Sequence, residues 1–196
     1  MYNSIGGGGN YINGVSMLRR LNNFIILGEN NTIDVHSRIP KDVQISIYGS
    51  NHTLVIEEGV TFKKGQIWFE DHDCYVSIGK GTSIEEAYLA VAENGTKLTI
   101  GKDCMLSSKV RIATTDSHSI IDISTFKRTN PAKDITIGNH VWIGYNVNIN
   151  KGVTIAENSV IASHSVVTKS VRANCIAAGI PAKEVKVGIN WNRTRV

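Results

Sequence analysis

The sequence predicts an all-β protein whose strands stack into a parallel β-solenoid. In residues 135–168 an aliphatic residue recurs at every sixth position: Ile137, Ile143, Ile149, Ile155, Ile161 and Val167. The fourth position of each six is also small or β-branched: Val141, Val147, Val153, Ser159, Ser165 and Val171. Six is a multiple of the strand period of two and not of the helical period of 3.6, so the segment is extended. A short strand that turns a corner every six residues gives a triangular coil of about eighteen residues, and stacked coils bury the aliphatic rows.

The repeat continues upstream and is interrupted once. Ile100, Leu106 and Ile112 keep the six-residue spacing. The N-terminal third has a similar pattern of apolar residues, but with slippage in the spacing. Residues 117–134 contain Pro131 and mixed charges and have no six-residue phase, which indicates a loop that leaves the coil. We therefore expect a single domain over 1–196, with irregular N-terminal coils in 1–75, regular coils in 76–116 and 135–176, an extruded loop at 117–134 and a short C-terminal tail at 177–196.

Composition narrows the class of partner and the compartment. The chain carries 21 Lys and Arg against 17 Asp and Glu, and a net charge of +4 is too weak to predict a nucleic-acid partner. No apolar run approaches the roughly eighteen residues of a membrane span, and residues 1–20 lack an apolar signal region. Cys74, Cys104 and Cys175 are far apart and form no CxxC motif, which favours neither a disulfide framework nor a zinc site. We expect a cytoplasmic protein.

One histidine stands where the repeat breaks. His118 begins the loop, with Asp116 two residues before it and Asp122 four residues after it. An imidazole is the side chain whose ordinary proton affinity suits removal of a proton near neutral pH, so His118 is a candidate general base. It could equally be a solvent-exposed loop histidine without a role, and the position alone does not decide between the two.

Three motifs carry a resemblance to a known family: TTDSH at 114–118, IGNHVWIGYNVNINKGVTI at 137–155 and AAGIPAK at 177–183. With the sixfold repeat, they make the chain resemble the hexapeptide-repeat acyltransferases, most of all the capsule polysaccharide (polysialic acid) O-acetyltransferases. The resemblance covers about residues 75 to 191. It implies a left-handed parallel β-helix, a homotrimer with active sites between subunits, acetyl-CoA as cosubstrate, no metal, and a saccharide acceptor such as sialic acid or another surface polysaccharide.

The resemblance also implies roles for particular residues. His118 matches the catalytic histidine that takes the proton from the acceptor hydroxyl, with Asp116 or a backbone carbonyl setting its tautomer. Trp142 matches a tryptophan that lines the cleft between subunits and holds the sugar or the pantetheine arm, and the backbone N–H of Tyr145 faces the thioester. The remaining matches lie along coenzyme A: Ser163, Thr168 and Lys169 beside the pantetheine arm, and Lys183 and Lys186 near the adenosine phosphates.

Different functions on the same scaffold stay open from the sequence. A γ-class carbonic anhydrase-like zinc protein needs three histidines that converge across a subunit interface, and His118, His140 and His164 are the candidates. The close HxxxxH pair typical of that class is absent, because Tyr145 stands five residues after His140. An acetyltransferase for a small acceptor, such as a simple sugar, serine or an antibiotic, is also compatible with the sequence. So is a non-catalytic scaffold or polysaccharide-binding module.

Overall fold

The computed structural model describes residues 4–14 and 24–195 and contains strands but no helix in these ranges. None of the described segments could cross a membrane as a long apolar helix. The strands are β1 (Ser4–Gly6), β2 (Tyr11–Asn13), β3 (Phe24–Leu27), β4 (Thr32–Val35), β5 (Val43–Tyr48), β6 (Thr53–Ile56), β7 (Thr61–Phe69), β8 (Tyr75–Ile78), β9 (Ser83–Val91), β10 (Lys97–Ile100), β11 (Met105–Leu106), β12 (Val110–Ala113), β13 (Ile135–Ile137), β14 (Trp142–Ile143), β15 (Asn148–Ile149), β16 (Thr154–Ile155), β17 (Val160–Ile161), β18 (Val166–Val167), β19 (Cys175–Gly179) and β20 (Ala182–Val187).

Nearly all of these strands pair in parallel with the strand one coil away, which confirms the predicted β-solenoid. The first face of the prism contains β11, β14, β17 and β19, the second face contains β12, β15 and β18, and the third face contains β10, β13 and β16. β9 runs along both the first and the second face, because its start pairs with β11 and its end with β12. The third face continues through β8, β6, β4 and β2 into a seven-stranded sheet.

Coil length differs between the two ends of the solenoid. Thr136 pairs with Thr154, a coil of 18 residues, whereas Thr32 pairs with Thr53 across 21 residues and Thr53 with Tyr75 across 22. The slippage of the repeat in the N-terminal third therefore comes from longer coils that stay in register. Between β10 and β13 the paired residues are 37 apart, since the loop is inserted in that coil.

The core is one apolar cluster along the centre of the prism. Both rows found in the sequence are buried: Ile143, Ile149 and Ile161 are fully buried, as are Val141 and Val147 of the other row. Each such side chain contributes about 1.5–3 kcal/mol by leaving water. Backbone N–H and C=O groups are meanwhile satisfied by the coils above and below, so every coil depends on its neighbours.

Three corners join the faces, and each has a characteristic backbone. The first corner follows the first face (residues 144–146 and 162–164), the second corner follows the second face (114–117, 150–152 and 168–170), and the third corner follows the third face (138–140 and 156–158). Asn146, Asn158, His140 and His164 have φ angles of 54°, 58°, 52° and 61°. Asn and His tolerate this left-handed conformation better than β-branched residues do, which explains their place at corners.

The C-terminal residues close the end of the solenoid and then turn back along it. β19 and β20 form an antiparallel hairpin. Residues 188–195 then pass the third corner, where Trp191 is buried and donates its indole N–H to the carbonyl of His140 at 2.8 Å. Further on, Arg193 bonds Asp103 and the carbonyl of Cys104. The segment that we expected to be a tail thus packs against several coils.

Candidate active site

A partly buried ion pair ties the base of the loop to the solenoid. The guanidinium of Arg128 donates to both carboxylate oxygens of Glu93, at 2.7 and 2.6 Å. Thr115 and the backbone N–H of Ala132 donate to the same carboxylate, at 2.7 and 3.1 Å. These hydrogen bonds lower the pKa of Glu93 from 4.5 to about 2, and the bonds from Arg128 have the largest effect. Glu93 therefore stays ionised and holds both ends of the loop.

Asn130 connects the two sides of the loop and fixes the backbone of His118. Its amide nitrogen donates to the carbonyl of His118 at 2.8 Å and to the carboxylate of Asp116 at 2.9 Å. Its amide oxygen accepts the backbone N–H of Ile120 at 2.6 Å. Lys151, from the next coil, donates to Asp116 and to the carbonyl of Asn130, both at 2.6 Å. The main chain around His118 is thus held by Asn130, which Lys151 in turn fixes to the solenoid.

The imidazole of His118 is exposed at the second corner. Among the described residues no carboxylate or carbonyl bonds this ring, so neither Asp116 nor a backbone carbonyl orients it within the chain. Asp116 instead faces Lys151 and Asn130, and the hydrogen bond from Lys151 lowers the pKa of Asp116. The structure therefore presents His118 with an anchored backbone and a side chain that is free to meet a substrate.

The first corner carries two of the residues expected beside coenzyme A. Tyr145 and Ser163 are one coil apart, and the backbone N–H of Tyr145 donates to the hydroxyl of Ser163 at 3.2 Å. The ammonium of Lys109 lies 5.4 Å from the centre of the Tyr145 ring. Gly144 lets the coils approach closely here, since a Cβ at this position would lie 2.7 Å from the backbone nitrogen of Ser163. Lys183 extends this corner towards the C-terminal end, because it pairs with Ala178 in the closing hairpin.

The other expected coenzyme contacts lie elsewhere on the prism. Thr168 and Lys169 are exposed at the second corner, one coil beyond Lys151. Lys186 is exposed on β20, where it pairs with Ile176. Tyr145 and Lys151 are six positions apart along the second face, at most about 20 Å of extended chain. The structure therefore divides most of the expected site residues between the two corners of the second face, while Lys186 lies on the first face.

Trp142 lies on the first face, away from His118 in the same chain. Its side chain points outward and remains partly exposed. The ring of Trp191 lies 6.1 Å from that of Trp142 and stacks on His140 at 4.1 Å. The C-terminal segment thus forms one wall beside Trp142, a contact that nothing in the sequence spacing indicated.

Comparisons with known proteins show which proteins the chain resembles. The family model for bacterial transferase hexapeptide, six repeats, matches residues 134–169. A polysialic acid O-acetyltransferase from Escherichia coli O1:K1 / APEC is 49% identical over 119 residues, which are 61% of this chain and 38% of the relative. The chain therefore spans well under half of that relative's length.

Two solved structures extend the similarity to the fold. The crystal structure of the polySia-specific acetyltransferase NeuO matches with a TM-score of 0.81 and 34% identity, over 98% of this chain and 88% of NeuO. This chain belongs to the hexapeptide-repeat acyltransferases. A galactoside acetyltransferase in complex with coenzyme A matches less fully, with a TM-score of 0.55 and 30% identity over 68% of this chain and 64% of the other.

The histidines of this hexapeptide acyltransferase do not converge within the chain. His118, His140 and His164 lie at the second, third and first corner, and the ring of His140 is held between Asp103 and Trp191. The ring of His164 contacts Asn146. In the part of the chain that the structure describes, no three His, Cys, Asp or Glu side chains are grouped to hold a metal ion. The described residues therefore form no carbonic anhydrase-like zinc site within one chain.

Sequence reasoning missed the residues that hold the loop of this acyltransferase. Glu93 and Arg128 are 35 residues apart, and no local pattern pairs them. Lys151 had a signal, because Lys133, Lys151 and Lys169 follow one another at intervals of eighteen residues, one coil each. Asn130 had none, since an Asn before Pro in a loop is ordinarily read as a turn residue.

Proposed function

We propose that this hexapeptide acyltransferase moves an acetyl group from acetyl-CoA to a hydroxyl group of a sialic acid polymer or another capsular polysaccharide. The observation that carries the proposal is the match to NeuO over 98% of the chain. The polysialic acid O-acetyltransferase named above and the coenzyme A complex of a related acetyltransferase support the acceptor and the donor.

The anchored loop supports His118 as the general base. Acetyl-CoA supplies an already activated acyl group, so the protein must orient the reactants, accept one proton and stabilise one oxyanion. His118 takes the proton of the acceptor hydroxyl as that oxygen attacks the thioester carbonyl, and it returns the proton to the departing thiolate. Asp116 is a poorer candidate, because its bond to Lys151 keeps the pKa of its carboxyl low.

The backbone N–H of Tyr145 is our candidate for the oxyanion donor. At 3.2 Å its present bond to the Ser163 hydroxyl is at the long end of the N–H···O range. An oxyanion accepts more strongly than a neutral hydroxyl, so this N–H can exchange one partner for the other. We assign Ser163, Thr168 and Lys169 to the pantetheine arm of coenzyme A, and Lys183 and Lys186 to its phosphates, which these two lysines meet as point charges.

We infer that the active sites form between the subunits of a homotrimer. His118 lies at one edge of the second face and Tyr145 at the other, so a neighbouring copy can bring the two corners together. The inserted loop, which begins at the second corner, also exposes apolar side chains that suit a protein contact: Ile123 is 90% exposed and Phe126 is 83% exposed. Sedimentation equilibrium should give three times the chain mass of 21.4 kDa, and a monomer of that mass would contradict this arrangement.

We also place the reaction in the cytoplasm. Cys74, Cys104 and Cys175 are all free and buried, which is typical of proteins that work in a reducing compartment. Fractionation of cells that express the full-length protein checks this assignment, and activity found outside the cytoplasmic fraction contradicts it.

Replacing His118 tests the function directly. We expect His118→Ala to lower turnover by roughly 10²- to 10⁴-fold, the usual contribution of one general base, with acetyl-CoA binding nearly unchanged. The measurement is release of free thiol from acetyl-CoA with sialylated, other capsular and simple sugars as acceptors. His36→Ala, at an exposed position of an N-terminal coil, is the matched control and should keep full activity. A folded His118→Ala protein with near-native turnover contradicts the assignment.

A further inference from the structure

A cavity of about 210 Å³ opens on the second face, beside the loop. Outward positions in successive coils explain why it exists. Trp68 is in register with Ala90, and Ala90 with Ala113, so a large side chain is followed by two small ones. Side chains alternate across a strand, and Ala90 keeps only 6% exposure although it points outward, because it forms the floor of this step.

The walls of the cavity combine flat rings with charge. Tyr88 stands beside Ala90 on β9 and is in register with Arg111, whose guanidinium lies 5.9 Å from the centre of the Tyr88 ring. Trp68 closes the N-terminal end, and its indole lies 4.7 Å from the ring of Tyr48. Glu70 lies at the rim. In the described ranges no carboxylate forms an ion pair with Arg111, which leaves its fork of donors available to a ligand.

The position of the cavity connects it with the candidate active site. Ser117 lines it, and His118 is the next residue along the chain. A molecule in the cavity would therefore lie next to the group that we assign as the base. Indole and phenol faces suit the C–H surface of a sugar ring, and a guanidinium matches a carboxylate through two parallel hydrogen bonds. The carboxylate of Glu70 can accept hydrogen bonds from sugar hydroxyls.

We propose that this cavity is an acceptor subsite for a sugar residue that carries a carboxylate, with its ring against Trp68 and Tyr88 and its carboxylate on Arg111. This subsite rests on the proposed acetyl transfer to an anionic saccharide. It adds to that proposed function the residues that select the acceptor. Trp68 acts on any sugar ring, whereas Arg111 acts only on an acidic one.

Two variants and two acceptors separate these roles. The acceptors are an oligomer of sialic acid and the same oligomer with its carboxylates reduced to alcohols. Arg111→Gln should raise the half-saturating concentration of the acidic oligomer by roughly tenfold to a hundredfold, the loss of a charged hydrogen-bonding partner, and leave the reduced oligomer unaffected. Trp68→Leu should weaken both oligomers alike. Lys97→Gln, the same change of charge on the third face, is the control, and acetyl-CoA saturation should be unchanged in all three.

A binding measurement without acetyl-CoA separates this proposal from the proposed function. Saturation-transfer NMR on the wild-type protein should show contact with the acidic oligomer, and Arg111→Gln should weaken this binding by the same factor, roughly tenfold to a hundredfold. Retained binding in wild type without acetyl transfer contradicts the proposed function and supports the subsite. Unchanged acceptor saturation in Arg111→Gln overturns the subsite, as does a wild-type protein that does not bind the oligomer. A change of sedimentation mass in Arg111→Gln also overturns it, because the cavity is then a contact between subunits.

Discussion

Replacing Asn130 with Ala tests whether the network at the loop base positions His118. The change removes the donors to the His118 carbonyl and to the Asp116 carboxylate and the acceptor of the Ile120 N–H. A neutral hydrogen bond contributes about 1 kcal/mol net, and one to a charged group about 1.5–3 kcal/mol. Removing the side chain lets water reach part of these groups, so we take the low end, about 3 kcal/mol for these three bonds, and add nothing for the longer bond that Asn130 accepts from Arg128 at 3.3 Å.

A loss of this size should change the loop and leave the coils nearly intact. A loss of about 3 kcal/mol shifts the equilibrium between the anchored and the released loop by roughly a hundredfold. The released loop then becomes a much larger fraction of the molecules. We expect turnover to fall roughly tenfold to a hundredfold at saturating acetyl-CoA, since misplacing a catalytic group by about 1 Å has effects of this order. The melting temperature should fall by no more than about 10 °C, because the aliphatic rows are untouched.

The assay combines thiol release with hydrogen exchange measured by mass spectrometry. In Asn130→Ala the amides of Ile120 and Thr129 should exchange faster, while those of β14 and β15 keep their protection. Ser124→Ala is the control, because its hydroxyl bonds only Asp122 at the loop tip. If Asn130→Ala keeps both native turnover and native protection of residues 118–130, the network does not position His118.

Three further outcomes are expected. The pKa of Glu93 is lowered from 4.5 to about 2, so its ion pair contributes about 3 kcal/mol above pH 4.5, and this contribution is lost as pH falls towards 2. Limited proteolysis of the loop should therefore distinguish wild type from Glu93→Gln at pH 6, and this difference should shrink on acidification; a constant difference refutes the linkage. Lys183→Ala should raise the Michaelis constant for acetyl-CoA more than it lowers turnover, because a phosphate contact far from the thioester is equal in ground and transition states, and the reverse result in steady-state kinetics contradicts its assignment. Gly144→Ala places a Cβ 2.7 Å from the backbone nitrogen of Ser163 and should destabilise the fold by about 1–3 kcal/mol in denaturant titrations, whereas Gly8→Ala, with nothing within 4 Å, should not; equal effects refute the close-packing explanation.

The sequence alone was sufficient to predict the fold class, because each coil of a β-solenoid repeats the same spacing of buried aliphatic residues along the chain. Ile143, Ile149 and Ile161 recur at the period of the coil, and each is buried for the same reason. The inserted loop that contains His118 was also visible in the sequence, because an insertion interrupts a regular repeat. The N-terminal coils were harder to follow, because 21- and 22-residue coils do not divide into sixes.

Only the tertiary structure decided which residues hold the site together. Glu93 meets Arg128 across the inserted loop, and Lys151 reaches Asp116 from the following coil. Trp191 returns from the C-terminal segment to stack on a corner histidine. Such contacts depend on the path that an irregular segment takes over the surface, and no repeat in the sequence indicates that path. The aliphatic rows of the core, in contrast, recur in every coil and can be identified directly from the sequence.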